Sequence, residues 1–173
     1  MRDTPRLRIG ISRCLLGENV RHDGGHKRDG FLLEALGRHV EWVPVCPEVE
    51  LGLGTPREPM RLVGDPRAPR LITINTGIDH TDAMNRFAQQ RVRELEALDL
   101  SGFVFKARSP SCGIAQVPLV NSQGTETPDG VGLFAWAFME HFPRMPVEEE
   151  SRLHDPQAIK NFLERVRAFR AGG

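Results

Sequence analysis

Leu7-Arg-Ile-Gly-Ile-Ser-Arg-Cys14 is the stretch that decides the fold. Its first part, Leu7–Ser12, is a short apolar-rich run suited to a strand buried in a sheet. It runs into a cysteine and then into a loop, Leu15–Gly25, punctuated by Gly17, Asn19, Gly24 and Gly25. The same design recurs twice, in Glu41-Trp-Val-Pro-Val-Cys46 and in Gly102-Phe-Val-Phe-Lys-Ala-Arg-Ser-Pro-Ser-Cys112. Strands of a parallel sheet present their C-terminal ends along one edge, where α/β proteins place their ligands. If these strands are parallel neighbours, three thiols far apart in sequence meet at one mouth.

The segments between them fit that arrangement. His26–Leu36 reads as a helix with Phe31, Leu32, Ala35 and Leu36 on its apolar face and Gly37 as its stop. Trp42–Val45 is the second strand, and Cys46–Pro59, dense in Pro and Gly, is read as a shaped loop without a regular element. Leu62–Val63 and Leu71–Asn75 look like a hairpin arm projecting from the core. A long helix is expected from Asp79 to about Leu98, with Met84, Phe87, Ala88, Val92 and Leu95 facing inward. Ser101–Lys106 is the third clear strand, Asn121–Gly130 a loop, and Val131–His141 a helix buried behind the sheet. Met145–Val147 suits a last, edge strand, and Asp155–Phe169 a final helix with Asp155 as cap and Pro156 at its first position. The alternation predicts a three-layer, Rossmann-like α/β domain with a mostly parallel sheet and helices on both faces, residues 1–173 forming one domain.

Composition narrows the function. With 23 basic and 23 acidic residues the formal charge is zero, so bulk electrostatics point neither to nucleic acid nor to an anionic membrane. No apolar run approaches the roughly 18 residues of a membrane span. Met1–Arg6 has no signal-peptide hydrophobic region, and the Ala171-Gly-Gly173 tail reads as a frayed end. A cytoplasmic home is expected, where thiols stay reduced and serve metals or catalysis. An odd cysteine count also fits a disulfide framework poorly. The chain has no tyrosine, 9 Phe and 2 Trp, so no aromatic platform for single-stranded nucleic acid is evident.

A lone intracellular cysteine is usually a small buried hydrophobe. Here all three stand at strand ends in Gly/Pro-rich loops, where function collects. There is no local Cys-x-x-Cys, which excludes a zinc ribbon or thioredoxin-type motif. Two centres remain open from the residues alone. One is zinc held by the three cysteines with His22 or His26; the other is a four-iron, four-sulfur cluster with one iron free for substrate. Glu48, two residues after Cys46, is placed to act as a general base on water near the metal, and is favoured over Glu50. Ser109 or Ser111 can donate to a substrate atom or relay a proton, although serines in turns more often bond their own backbone. Arg21 and Asp23, just after Cys14, and Arg57 one loop away offer groups for substrate; Lys106 and Arg108 flank the third loop.

Three blocks carry a resemblance. Cys14-Leu-Leu-Gly17 with Val20-Arg21 and Asp23-Gly-Gly25, then Cys46-Pro-Glu48 with Gly54-Thr-Pro-Arg57, then Ser109-Pro-Ser-Cys-Gly113 resemble the TudS thiouracil desulfidase family over nearly the whole chain. The resemblance implies that Cys14, Cys46 and Cys112 bind a [4Fe-4S] cluster, whose unique iron takes the thiocarbonyl sulfur of a thiolated uracil. It implies Glu48 as the carboxylate that activates water, Ser109 as the serine that assists proton transfer, and hydrosulfide as the leaving product without net redox chemistry. Gly25-His-Lys-Arg-Asp29 and Val147-Glu-Glu-Glu-Ser-Arg-Leu-His-Asp-Pro156 look more like the first domain of two-domain members that act on 2-thiouridine in RNA. This chain stops where their second domain would begin. With its neutral charge, that favours a small thiolated pyrimidine (thiouracil, thiouridine or its nucleotide) over thiolated RNA. A zinc-dependent hydrolase and a non-catalytic module that binds iron–sulfur or thio-compounds are the competing expectations.

Overall fold

The computed structural model describes residues 6–172; most of the N-terminal lead and Gly173 of the tail lie outside the described residues. In chain order its elements are β1 (Leu7–Ser12), α1 (Gly30–Gly37), β2 (Val40–Val45), α2 (Pro47–Glu50), β3 (Met60–Asp65), β4 (Ala68–Thr73) and α3 (Thr81–Glu96). They continue with β5 (Gly102–Phe105), β6 (Val117–Val120), β7 (Glu126–Gly130), α4 (Leu133–His141), β8 (Val147–Glu149) and α5 (Pro156–Gly172).

One sheet has the order β2-β1-β5-β8 and is parallel throughout. Side chains of a strand alternate between faces, and these strands bury both. Ile9, Ile11 and Val104 meet Leu32 and Leu36 of α1 and Phe162 and Val166 of α5 on one face. Val45, Phe103 and Phe105 meet Ala88 and Val92 of α3 and Phe134 and Phe138 of α4 on the other. The expected three-layer α/β architecture is therefore present. Gly10 makes one of these layers fit: a Cβ there would stand 2.2 Å from the Phe103 ring, which stacks on Phe105 at 4.0 Å.

β1 connects to β2 on one side of itself, and the chain then returns to place β5 on its other side. The loops leaving β1 and β5 therefore diverge, opening the crevice that such a sheet offers to ligands. Cys14 follows β1, Cys46 follows β2, and the Cys112 loop follows β5.

Four expectations need correction. The hairpin arm is half of a second sheet, β4-β3-β6-β7, whose Leu62, Leu71, Val117 and Leu119 pack on Met84 and Leu133. The segment read as a loop over 121–130 contains β7, antiparallel to β6 with a register shift between Val117 and Leu119. Pro128 and the polar β7 sequence hid it, because an irregular edge strand tolerates both. The stretch after Cys46 opens with the short helix α2, Pro47 sitting at its start. Finally, α1 begins at Gly30 rather than His26, because the Asp29 carboxylate accepts the Leu32 N–H at 3.0 Å and sets the N-cap there. The last strand runs Val147–Glu149 at the sheet edge, and Asp155 accepts the Ala158 N–H at 2.9 Å to cap α5. No helix of the described residues is long and apolar enough to cross a membrane.

Candidate functional site

The C-terminal edge of the parallel sheet carries a cavity of about 320 Å³, at the small end of the roughly 300–1,000 Å³ typical of small-molecule pockets. Cys14, Cys46 and Cys112 all line it, together with Glu48, Ser109, Ser111, Arg21 and Arg57. The chain thus brings eight of its nine candidate residues to one wall. Asp23 is the exception: its carboxylate is exposed and accepts the Gly25 N–H at 2.8 Å, the work of a turn residue. Of the two histidines considered for zinc, His22 lines the cavity; His26 does not, and its Nδ1 accepts the Arg28 N–H.

Each thiol is set by its own local structure. Arg13–Leu16 forms a 3₁₀ turn, and the Cys14 carbonyl accepts the N–H groups of Gly17 and Lys27. Cys46 is the N-cap of α2, with its N–H donated to Glu50 Oε2 at 2.7 Å. Glu50 is held in turn by Arg91 of α3 at 2.9 Å, which explains why Glu48, rather than Glu50, is left to face the cavity. The Cys112 loop is fixed by α4. The N–H groups at the start of that helix donate to the carbonyls of Pro110, Ser111 and Gly113. Gly132 permits this approach, since a Cβ there would lie 2.5 Å from the Ser111 carbonyl carbon.

Burial raises all three thiol pKa values in the metal-free protein, Cys14 to about 11. The thiols also disfavour one another's ionisation, Cys14 and Cys46 both acting on Cys112, so they are electrostatic neighbours. Nearby cations oppose this, Lys106 and Arg21 at Cys14 and Arg57 and Arg13 at Cys46. Among the described residues, no three His, Cys, Asp or Glu side chains are grouped as a single metal ion requires. A single zinc needs thiolate sulfurs about 2.3 Å from one point. A cube of irons and sulfides spreads its thiolates over a larger body than a single ion does.

Glu48 is almost fully enclosed and doubly held. Arg57 Nε donates to Glu48 Oε2 at 2.8 Å, Arg57 Nη2 approaches the same oxygen at 2.6 Å, and Ser111 Oγ donates to Oε1 at 3.1 Å. Arg57 Nη1 spends its remaining capacity on the carbonyls of Val20 and Gly54. The anion that Arg57 meets is therefore Glu48. Ser109 Oγ accepts the Cys112 N–H at 3.1 Å and the Ser111 N–H at 3.3 Å and touches Ser111 Oγ at 3.2 Å.

Two residues escaped the sequence reading: Lys27, which lines the cavity, and Glu150. Glu150, just past the end of β8, pairs with Lys106 at 2.8 Å and accepts the Ala107 N–H at 2.7 Å. Its signal was the buried edge strand before it, but nothing local marks a partner 43 residues away. Arg21, Lys27 and Arg108 line the cavity and form no ion pair among the described residues.

Comparison with known proteins gives the arrangement a setting. A profile of the 2-thiouracil desulfurase family matches residues 9–150. The uncharacterized protein YbbK of Bacillus subtilis (strain 168) is 29% identical over 110 residues, 61% of this chain and 72% of that protein. A solved structure described as the [4Fe-4S]-dependent thiouracil desulfidase TudS superposes with a TM-score of 0.72 at 30% identity, over 92% of this chain and 99% of that one.

Proposed function

Because the chain belongs to the 2-thiouracil desulfurase family, we propose that it hydrolytically removes sulfur from thiolated uracil with the aid of a [4Fe-4S] cluster held by Cys14, Cys46 and Cys112. One observation carries this reading: three thiols, a carboxylate and a serine, drawn from three separate strand ends, line a single cavity. The donor set fits such a cluster, being all thiol and three in number. Bound there, the cluster would supply a soft Lewis-acidic iron suited to a thiocarbonyl sulfur.

The protein's own residues account for the rest. Arg57 and Ser111 fix the two oxygens of Glu48, so the carboxylate presents a defined face to a water in the cavity. Glu48 takes a proton from that water as its oxygen attacks the carbon bearing sulfur. Ser109, anchored by two backbone N–H groups, assists proton transfer beside it. Water supplies the oxygen and both protons, and sulfur leaves as hydrosulfide with no net change of oxidation state. The substrate is a small thiolated pyrimidine. Arg21, Lys27 and Arg108 at the rim suit an anionic substituent such as the phosphate of a nucleotide. RNA is the less favoured substrate, as the chain's charge is balanced.

The deciding experiment is anaerobic purification or reconstitution with iron and sulfide analysis, followed by a panel of 2- and 4-thiouracil, their nucleosides and nucleotides, and thiolated tRNA. Iron and acid-labile sulfide in equal amounts, with sulfide released from a thiouracil and abolished in Glu48→Ala, is the expected result. One equivalent of zinc without labile sulfide would overturn it in favour of a zinc hydrolase. Binding of thiouracil without sulfide release would make the protein a non-catalytic module.

A further inference from the structure

The end of β8 carries three consecutive glutamates, Glu148, Glu149 and Glu150, and among the described residues only the outer two meet a cation. Arg152 approaches Glu148 at 3.9 Å and Arg165 at 3.3 Å, and Glu150 pairs with Lys106 at 2.8 Å. Side chains of an extended segment alternate between faces, so the middle carboxylate is turned away from the cations that serve its neighbours. Glu149 is 8% exposed; its Oε2 accepts the Ile114 N–H at 3.0 Å, and its Oε1 takes no hydrogen bond among the described residues. Burial raises its carboxyl pKa, the Ile114 N–H opposes the rise, and the neighbouring Glu150 and Glu148 add to it. Buried carboxylates are ordinarily paired, because an unpaired one has lost its water and gained nothing in return.

Glu149 lines a second cavity of about 340 Å³, which lies between the end of β8 and the β6–β7 pair. Glu126 of β7 stands in the same lining and has no ion pair among the described residues. Ala115, Pro118 and Pro128 make part of the wall apolar. Arg108 lies on the boundary, since it and Ala107 also line the catalytic cavity. Two carboxylates against one guanidinium disfavour an anion here. Calcium and magnesium demand many oxygen ligands, and among the described residues no three His, Cys, Asp or Glu side chains are grouped to hold a metal ion. We propose that this cavity is a second binding site, taking a small primary alkylammonium whose N–H groups meet Glu149 Oε1 and Glu126 and whose alkyl chain lies on Ala115, Pro118 and Pro128. An ammonium is a compact charge with three donors and no planar fork to align, so it suits two separate carboxylates better than a guanidinium does. Neither the thiols nor Glu48 line this cavity, so its occupancy is independent of the reaction assigned to the first.

The test is saturation-transfer NMR of the anaerobically purified protein with n-butylammonium chloride at neutral pH and constant ionic strength. n-Butanol, which keeps the chain and lacks the charge, and tetramethylammonium, which keeps the charge and lacks the N–H donors, are the controls. n-Butylammonium should give a saturable signal that both controls fail to match. Glu149→Gln retains an oxygen to accept the Ile114 N–H, and should weaken binding by roughly 10-fold, the scale of one hydrogen bond to a charged group. Glu126→Gln should weaken it by roughly threefold, as expected of an exposed partner. Equal binding of n-butanol would reduce the cavity to an apolar groove, and equal binding of tetramethylammonium to diffuse charge attraction; either result overturns the proposal. So does n-butylammonium binding that Glu149→Gln leaves unchanged, or no saturable signal at all. A crystal structure of the wild type soaked in n-butylammonium decides the matter without any variant. It should show the ammonium within hydrogen-bond distance of Glu149 Oε1, and an amine found elsewhere or an empty cavity refutes the site.

Discussion

Removing Arg57 should cost this protein far more than a surface arginine would. Its side chain is 8% exposed and that of Glu48 13%, so the pair is effectively withdrawn from water. Arg57→Met deletes the two contacts to Glu48 Oε2 and the two bonds to the carbonyls of Val20 and Gly54, and leaves a carboxylate enclosed without its counter-charge. Breaking a buried pair in this way costs about 3–5 kcal/mol. At a urea m-value of about 2 kcal/mol/M for a domain of this size, the unfolding midpoint should fall by roughly 1.5–2.5 M. Glu48→Gln alone leaves the guanidinium unneutralised and is also destabilising. In Arg57→Met/Glu48→Gln neither charge remains, so the double variant should be more stable than the sum of the single losses implies, by about 2–3 kcal/mol. The assay is anaerobic urea denaturation of the wild type, both single variants and the double variant. The four proteins are compared metal-free, so that no bound cluster adds a different stabilisation to each. Single losses that add to within about 0.5 kcal/mol would refute the clamp, because uncoupled sites behave that way.

Gly132→Ala should force the Cys112 loop away from α4, since the three nearest neighbours of the new Cβ are backbone atoms of Ser111 and Cys112. A loss of about 1–3 kcal/mol is expected for such overpacking, or a Tm lower by roughly 3–10 °C at this chain length. Iron content should fall with it, while Gly172→Ala, which meets open space, should leave both unchanged. The thiols give a pH signature in the metal-free protein. Cys14 is raised from 9.0 to about 11 by burial, so it should alkylate more slowly near neutral pH than a free peptide thiol. An unfolded chain releases that proton around 9.0 while the folded one keeps it to about 11, so stability should be fully present below the first value and decline toward the second. Ordinary thiol reactivity with no such decline by pH-dependent denaturation would contradict the burial of these groups.

The parts of the site legible in the sequence are those written in local patterns. β1, β2 and β5 are short apolar runs that end in a cysteine or a cysteine-bearing loop, and parallel pairing turns three distant thiols into one edge. What the sequence hid are pairings between segments. Arg57 reads as a cation for a ligand until the turn after α2 folds it onto Glu48, nine residues earlier. The second sheet was half visible, because β3 and β4 form a local hairpin, whereas β6 and β7 join it through a parallel contact and a bulge. Asp23 shows how local chemistry can carry two readings: its place between Arg21 and two glycines suggested a group for substrate, and its carboxylate accepts the Gly25 N–H in an Asx turn.

Four parallel strands end at this edge, three leading to thiols and the fourth to two carboxylates, and the difference has a physical cause. The Cys112 loop leaves β5, and β8 is β5's neighbour on its outer side, so groups at the end of β8 are the ones within reach of that loop. Glu149 accepts the Ile114 N–H and Glu150 the Ala107 N–H, one on each side of Cys112. From the opposite side, α4 donates to the loop's carbonyls. Ser12, at the end of β1, accepts the Lys106 N–H at 2.9 Å. The backbone carrying Cys112, Ser109 and Ser111 is thus held on three sides by the protein itself. Its geometry does not depend on a metal to impose it, which is the condition for hydrogen bonds near 3 Å among Ser109, Ser111 and Glu48 to be set before substrate arrives.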